Sequence, residues 1–377
     1  AFKNKSAFAL FQGYIIFKII SFPRVVSIAK FILSFKLINP LSKLLLKNTM
    51  LKQFCGGQNE EDCEDLINDL SSRNVYSILD YSVEGLENEH SFDETVLRTL
   101  KLIELNTNNN SPFVVFKPTG VGCFDLYHKV SSNIKLSKNE EIDWLKVVSR
   151  YNTICNNALS NNVCVLIDAE ESWIQSSVDK IYESLVLKYN LKKAVVYNTV
   201  QAYRVDRLDY IKKLDNTFSG RNVHLGIKLV RGAYMQKERL RARDLNYSDP
   251  IHKSKEDTDK CFNNSMKYMV ENINLFTIFI GTHNEESNYL AIDHIKKNTI
   301  KNDKLWFSQL YGMSDHISYN LSNNGYKVSK YLPFGPFKGV IPYLFRRAEE
   351  NTAIEGQTSR ELFLYSKEIK RRYYSKL

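Results

Sequence analysis

The sequence predicts an α/β fold: a (βα)8 TIM-type barrel preceded by an N-terminal helical segment. Three observations carry this. Short runs of apolar, β-branched or aromatic residues recur eight times, at 75–81, 113–117, 163–168, 194–199, 224–230, 276–281, 304–310 and 327–332. The segments between them are long enough for helices, and several show helical spacing, at 92–105, 139–158, 171–189, 200–214, 254–272, 284–297, 313–324 and 338–351. Strands that alternate with helices argue for a parallel sheet, because a parallel connection needs a crossover of a dozen or so residues. The competing fold, an open doubly wound sheet, would carry a Gly-rich phosphate turn after a strand, and neither GxGxxG nor a Walker pattern is present. Eight repeats over about 280 residues suit a barrel, whose usual length is about 250.

Composition supports one large folded unit. The 377 residues are 43% hydrophobic and 25% charged, which excludes disordered, collagenous and disulfide-scaffold classes. Six cysteines (55, 63, 123, 155, 164 and 261) form no CxxC pair and several fall in apolar runs, as reduced buried thiols do. The net charge of +10 is local. Residues 1–59 hold nine Lys/Arg and no acid, whereas the remainder holds 43 bases against 42 acids. A uniformly basic surface is therefore excluded, and with it a nucleic-acid partner.

In chain order, the N-terminal segment comes first. Residues 7–22 are apolar, interrupted by Gln12 and Lys18 and stopped by Pro23; residues 25–38 form a second apolar stretch carrying Ser27, Lys30 and Ser34 on one face. Neither reaches the ~20 clean apolar residues that span a bilayer. Basic, acid-free amphipathic helices suit an anionic membrane surface; they equally suit packing on the main domain with their lysines snorkelling. Lysine outnumbers arginine eight to one in residues 1–59, which weighs against a transit peptide. The chain is expected to divide into a basic N-terminal helical region (1–59), a (βα)8 barrel (60–355) and a charged helical tail (356–377). Residues 106–110, NTNNN, read as a surface loop tip.

The strand ends are unusually polar, and a barrel builds its site at the C-terminal ends of its strands. They carry Asp80-Tyr81, Lys117, Asp168 with Glu170, Asn198 with Gln201, Lys228 followed by Arg231-Gly232-Ala233-Tyr234, Thr282-His283-Asn284, Gln309, and Tyr331. One such residue is ordinary; most ends agreeing marks a site. Pro118 removes a ladder donor, so the strand before Lys117 ends or bulges there. Of seven histidines only His283 sits at a strand end, so a metal centre is disfavoured. No GxSxG elbow exists for a hydrolase. Asp80, Asp168 and Glu170 leave a glycosidase arithmetically open. The surplus of Lys, Arg, Gln, His and Asn better suits an extended, phosphate-bearing cofactor that the protein orients. Arg346-Arg347, in the last helical pattern, have the forks that match a carboxylate.

Several ordered blocks carry a resemblance: SILDYS at 77–82, VLIDAEESWIQ at 165–175, VYNTVQAYRVDR at 196–207, IKLVRGAYMQKER at 227–239, THNEE at 282–286, QLYGMSD at 309–315, KYLPFGP at 330–336 and YLFRRAEEN at 343–351. Together they resemble the proline dehydrogenase family in its eukaryotic mitochondrial form. The resemblance implies a distorted barrel with non-covalent FAD, oxidation of L-proline to Δ1-pyrroline-5-carboxylate as the first step of proline catabolism, and electron delivery to a membrane quinone at the matrix side of the inner mitochondrial membrane. Lys228 matches the cation near flavin N5 and, with Asp168, is the expected catalytic pair. Val230 and Gly232 match positions whose backbone holds the cofactor, and Gln201, His283, Asn284 and Glu350 match other FAD contacts. Arg346 and Arg347 match a clamp on the proline carboxylate, and Tyr331 the ring that packs on the substrate. Lys117, Tyr234 and Leu310 match further substrate-pocket positions.

Three rivals are weighed. A 4-hydroxyproline dehydrogenase tends to carry a small serine where this chain has Tyr331. A barrel of the methylenetetrahydrofolate reductase kind would lack the paired arginines. A catalytically inactive, membrane-associated homologue would have lost site residues that are complete here.

Overall fold

A computed structural model describes residues 2, 5–22, 24, 47–81, 87–108, 111–300, 304–337, 339–341, 343–344 and 357–374. The strands are β1 (Val75–Tyr81), β2 (Phe113–Phe116), β3 (Cys164–Ile167), β4 (Val196–Gln201), β5 (Leu225–Val230), β6 (Phe276–Gly281), β7 (Leu305–Leu310) and β8 (Val328–Phe334). All ladders are parallel, in the order β1-β8-β7-β6-β5-β4-β3-β2. Chain neighbours are thus spatial neighbours, and the sheet curls until β1 and β2 lie side by side. The curl does not close completely: no ladder joins β1 to β2 among the described residues, and the Ser111 hydroxyl, donating to the Ser77 carbonyl, bridges the seam. The expected distorted barrel is the fold observed.

The helices are α1 (Ala7–Ile20), α2 (Glu64–Ser71), α3 (Glu89–Asn108), α4 (Phe124–Ser131), α5 (Lys138–Ser160), α6 (Ser172–Tyr189), α7 (Arg207–Phe218), α8 (Met235–Asp244), α9 (Lys255–Glu271), α10 (Glu285–Lys297), α11 (Asp315–Asn323) and α12 (Gln357–Tyr374). Local chemistry sets their ends. Ser137 and Glu140 form a reciprocal capping box on α5, and Ser254 and Asn284 cap α9 and α10. The turns leaving helices need a left-handed residue, and Asn74, Asn162, Gly220 and Gly325 supply it just ahead of β1, β3, β5 and β8.

Two differences from the sequence reading have physical causes. The helix expected from residue 200 starts at Arg207, because β4 continues to Gln201 and a turn follows in which Arg204 and Arg207 both donate to Asp206. Helices α2, α4 and α8 were not expected; all are short, and α8, MQKERLRARD, buries only Glu238 and Ala242, so it shows no apolar period.

The core has two layers. Outward-facing strand residues pack under the helices. Inward-facing Ile78, Phe113, Val115, Leu166, Tyr197, Phe279, Trp306 and Tyr331 fill the barrel. A third cluster joins α1 to α12: Phe17 meets Tyr365 at 5.6 Å and Phe54 at 5.8 Å, with Leu10, Ile16 and Ile20 buried beside them. Gly13 is required there, since a Cβ would come within 2.6 Å of the Tyr365 ring. One face of α1 is therefore packed, as the second of the two N-terminal readings expects. The opposite face exposes Phe8, Phe11, Ile15, Ile19 and Phe22. No helix among the described residues is long and apolar enough to cross a membrane. The stretch 25–38 and most of the helix expected at 338–351 lie outside the described residues.

Candidate active site

Strand alternation places residues 113, 115 and 117 on one face of β2 and its extension, and Phe113 and Val115 face the interior. Pro118 ends the strand and opens a short 3-10 turn, Pro118–Gly120, so Lys117 stands at the barrel mouth. Its Nζ lies 3.2 Å from Asp80 Oδ1 and 3.9 Å from Asp168 Oδ2. Lys228, on β5, donates to Asp168 Oδ1 at 2.5 Å and to the Tyr331 hydroxyl at 2.7 Å. Strands β3, β5 and β8 are not neighbours, so these side chains meet only inside the barrel. The result is a row of alternating charge, Asp80–Lys117–Asp168–Lys228, closed by a phenol. Two carboxylates and two ammoniums neutralise one another, which is what makes four ionic groups tolerable at the end of an apolar core. Burial, and then the Asp168 charge, push the Tyr331 phenol well above its ordinary range, so it stays protonated. Its ring has the Lys228 ammonium 4.4 Å from the centroid and Phe279 edge-on at 6.2 Å.

The wall formed by β3 to β5 is stitched by one amide. Gln201 Nε2 donates to the Glu170 carbonyl at 2.7 Å, and its Oε1 accepts from Ala233 N at 3.2 Å. The Glu170 carboxylate accepts from Thr119 N at 2.9 Å and Thr119 Oγ1 at 2.7 Å, tying the turn after Lys117 to the end of β3. Burial pushes this carboxyl up to about 7 against those two bonds. Gly232 has φ of 134°, and a Cβ there would come within 2.4 Å of the Tyr203 ring. Only glycine fits, and the strip at 230–233 stays partly exposed at the mouth. Arg231 turns away from the charged row and donates to Asp259, Thr282 and Ser287, locking β5 to β6 and its helices.

On the far wall, His283 Nδ1 lies 2.9 Å from Ser314 Oγ, and Leu310 N donates to His283 Nε2 at 3.4 Å. Leu310 pairs in register with Tyr331. Asn284 Oδ1 accepts from Ser287 N at 2.8 Å and so caps α10 beside His283. Tyr234 is half-buried at the start of α8. Arg346, Arg347 and Glu350 lie outside the described residues. Sequence reasoning gave no role to Thr119, Ser314 or Glu361; none belongs to a periodic pattern, and each acts through a partner at least 31 residues away. Among the described residues, no group of three or more His, Cys, Asp or Glu side chains is placed to hold a metal ion.

The barrel mouth thus presents a fixed cation at Lys228, an amide at Gln201, an imidazole at His283 and a partly exposed backbone strip at 230–233.

The proline dehydrogenase family model matches residues 63–360. Carbapenem antibiotics biosynthesis protein CarD of Pectobacterium carotovorum subsp. carotovorum is 33% identical over 320 residues, 85% of this chain and 83% of its own. Mitochondrial proline dehydrogenase 1 of Dictyostelium discoideum is 31% identical over 424 residues, 98% of this chain and 74% of its own. Proline utilization A from Bdellovibrio bacteriovorus, a solved structure, superimposes with a TM-score of 0.74 at 20% identity over 84% of this chain, which spans only 34% of that longer one. That last likeness speaks to the fold alone. The family match spans the charged row from Asp80 to Tyr331 and every strand of the barrel, and on that ground the chain belongs to the proline dehydrogenase family.

Proposed function

We propose that this chain oxidises L-proline to Δ1-pyrroline-5-carboxylate with non-covalent FAD as hydride acceptor, and passes the electrons to a membrane quinone. The observation that carries the reading is the meeting of Lys228, Asp168 and Tyr331 inside the barrel, with Lys117 on the far side of Asp168. Bound FAD supplies the two-electron oxidant; Lys228, Gln201, the backbone at 230–232, His283 and Glu350 would hold it. Proline is a zwitterion, and Arg346 and Arg347 would clamp its carboxylate bidentately. Its ring nitrogen must lose a proton as the imine forms. Lys228, held by Asp168 and Tyr331, would present a preorganised positive charge beside the bound acceptor, in a site with little water to screen it. Asp168 holds Lys228 and attracts Lys117, so both cations stand ready without reorganisation.

Tyr331 decides the ring it accepts. Its hydroxyl is fixed by Lys228 and its ring by Phe279, so it cannot withdraw to admit a ring hydroxyl. We expect kcat/KM for L-proline to exceed that for trans-4-hydroxy-L-proline by about tenfold or more, the scale set by one misfitted group. FAD-dependent reduction of a soluble quinone measures both; a reversed ratio assigns the chain to hydroxyproline, and no turnover with either returns it to an inactive homologue.

The same reading places the enzyme in the mitochondrion, against the matrix face of the inner membrane. Supporting it are the exposed stripe Phe8, Phe11, Ile15, Ile19 and Phe22, with Lys18 among them, and an acid-free flank of nine bases. A burial of about 1.5 kcal/mol or more per aromatic makes three of them worth several powers of ten in binding. The full chain carrying Phe8→Ser, Phe11→Ser and Phe22→Ser should bind cardiolipin-containing vesicles at least tenfold more weakly, while still oxidising proline with soluble quinone. Unchanged binding would remove lipid from the role of α1.

A further inference from the structure

Both ends of the chain reach the His283 wall of the barrel through one buried polar cluster. Lys330 is fully buried on β8 and, one residue before Tyr331, points the opposite way, out of the barrel. Its Nζ lies 3.1 Å from Asp315 Oδ1 and donates to the carbonyls of Met313 and Leu310. Lys5, from the N-terminal segment, lies 3.1 Å from the other Asp315 oxygen and donates to the Tyr365 hydroxyl of α12 at 2.9 Å. Despite the cost of burial, these two lysines hold the Asp315 carboxyl well below its ordinary range.

Next to Asp315 is Ser314, buried, with a left-handed backbone at φ of 52°. That conformation costs a non-glycine residue about 1 kcal/mol and persists only where its surroundings fix it. On its carbonyl side the first turn of α11 holds it, with Ile317 N and Ser318 N donating to the Ser314 carbonyl; on its N–H side the buried carboxyl of Glu361, from α12, accepts at 2.7 Å. The Ser314 hydroxyl in turn lies 2.9 Å from His283 Nδ1. Because Leu310 N–H donates to Nε2, that nitrogen is an acceptor, and Nδ1 carries the proton and donates it to Ser314 Oγ.

We infer that Glu361 is a positioning residue for His283: by holding Ser314 in its left-handed conformation, the C-terminal helix sets the orientation of the histidine that faces the flavin. Glu361 lies one residue beyond the family-matched region, and Lys5 far outside it, so the barrel borrows part of its cofactor wall from the chain's ends. Burial, and then the Asp315 charge, push the Glu361 carboxyl up to about 7. Its Oε1 accepts the Ser314 N–H in either protonation state, so the link does not depend on its charge.

The inference rests on His283 being a flavin contact, and the test separates the two. FAD is titrated into the flavin-free full-length chain, and its Kd is read by flavin fluorescence quenching for Glu361→Ala, His283→Ala, the double variant and Glu361→Gln. We expect each alanine to weaken FAD about tenfold, the double to be no weaker than His283→Ala alone, and Glu361→Gln, which keeps an acceptor oxygen, to stay within about twofold of the unaltered chain. A purely structural contribution of α12 would instead make the two alanines additive, about a hundredfold together; that result overturns the inference. So does a Glu361→Ala Kd within twofold of the unaltered chain. An unchanged Kd for His283→Ala overturns the flavin reading of His283, and the inference with it. Ser314→Ala, which removes only the hydroxyl, takes the place of Glu361→Ala in the cycle if that variant does not fold.

Discussion

Lys228→Met is expected to lower kcat/KM for L-proline by about 10²–10³-fold, the scale on which one preorganised group at a reacting centre acts. Methionine keeps the length and apolar bulk of the lysine stem, so the strand packing around it survives. What is lost is the charge and its two donors, to Asp168 and to Tyr331. Stability also falls, because among the described residues the Asp168 carboxylate then keeps Lys117 at 3.9 Å and the Tyr331 hydroxyl at 3.5 Å, both long. Stranding one member of a buried pair costs about 3–5 kcal/mol when fully buried. The loss here should sit below that, since the Asp168 side chain keeps 16% of its surface exposed. Removing both charges in Lys228→Met/Asp168→Asn separates structure from chemistry. Urea unfolding of the double variant should recover most of the lost stability, because no unpaired charge remains. Its kcat/KM should recover none. Activity that returned with stability would mean that the pair only holds the barrel mouth together.

The location of this site was readable from residue type alone; its wiring was not. Eight β-branched or aromatic runs gave strands whose limits differ from those observed by a few residues at most, because alternation and helical spacing are local signals. The polar strand ends marked the mouth for the same reason. Which cation faces Asp168 is a different kind of fact. Lys228 and Arg231 are three residues apart, yet the first points into the barrel and the second is taken up by Asp259, Thr282 and Ser287. Lys330 and Tyr331 are adjacent and face opposite sides of β8, one to the terminal segments and one to the barrel interior. Strand register and barrel curvature decide such questions, and neither is written in any short stretch of sequence. The acid-free N-terminus held two readings, and the structure bears on the packing one: α1 buries one apolar face on α12 and exposes another. The bond from Ser314 to Glu361 spans 47 residues between a turn and a tail, and no periodicity announces it.

Phe113→Ala is expected to destabilise the fold by about 3–5 kcal/mol, at the upper end for a single core substitution. Phe113 is 1% exposed at the start of β2 and meets three rings edge-on: Trp306 at 4.9 Å, Phe279 at 5.2 Å and Tyr197 at 5.6 Å. These partners come from β7, β6 and β4, so its ring spans the barrel rather than packing on a neighbour. A cavity there cannot be closed by moving one side chain, because its walls are strands fixed in hydrogen-bonded ladders on either side. Strands β1 and β2, at the seam, are the exceptions: among the described residues β2 has a ladder with β3 only, and toward β1 it relies on the Ser111 bridge and on interior packing. Relief of the cavity should therefore come from β2 itself. The amides of β2 should lose hydrogen-exchange protection before those of β5, which is paired on both sides. Lys117 extends the same inward-facing row, so kcat/KM should fall in step with that loss of protection. A stability change under about 1 kcal/mol, or equal loosening of β2 and β5, would show that the seam is held by its helices and not by the ring inside it.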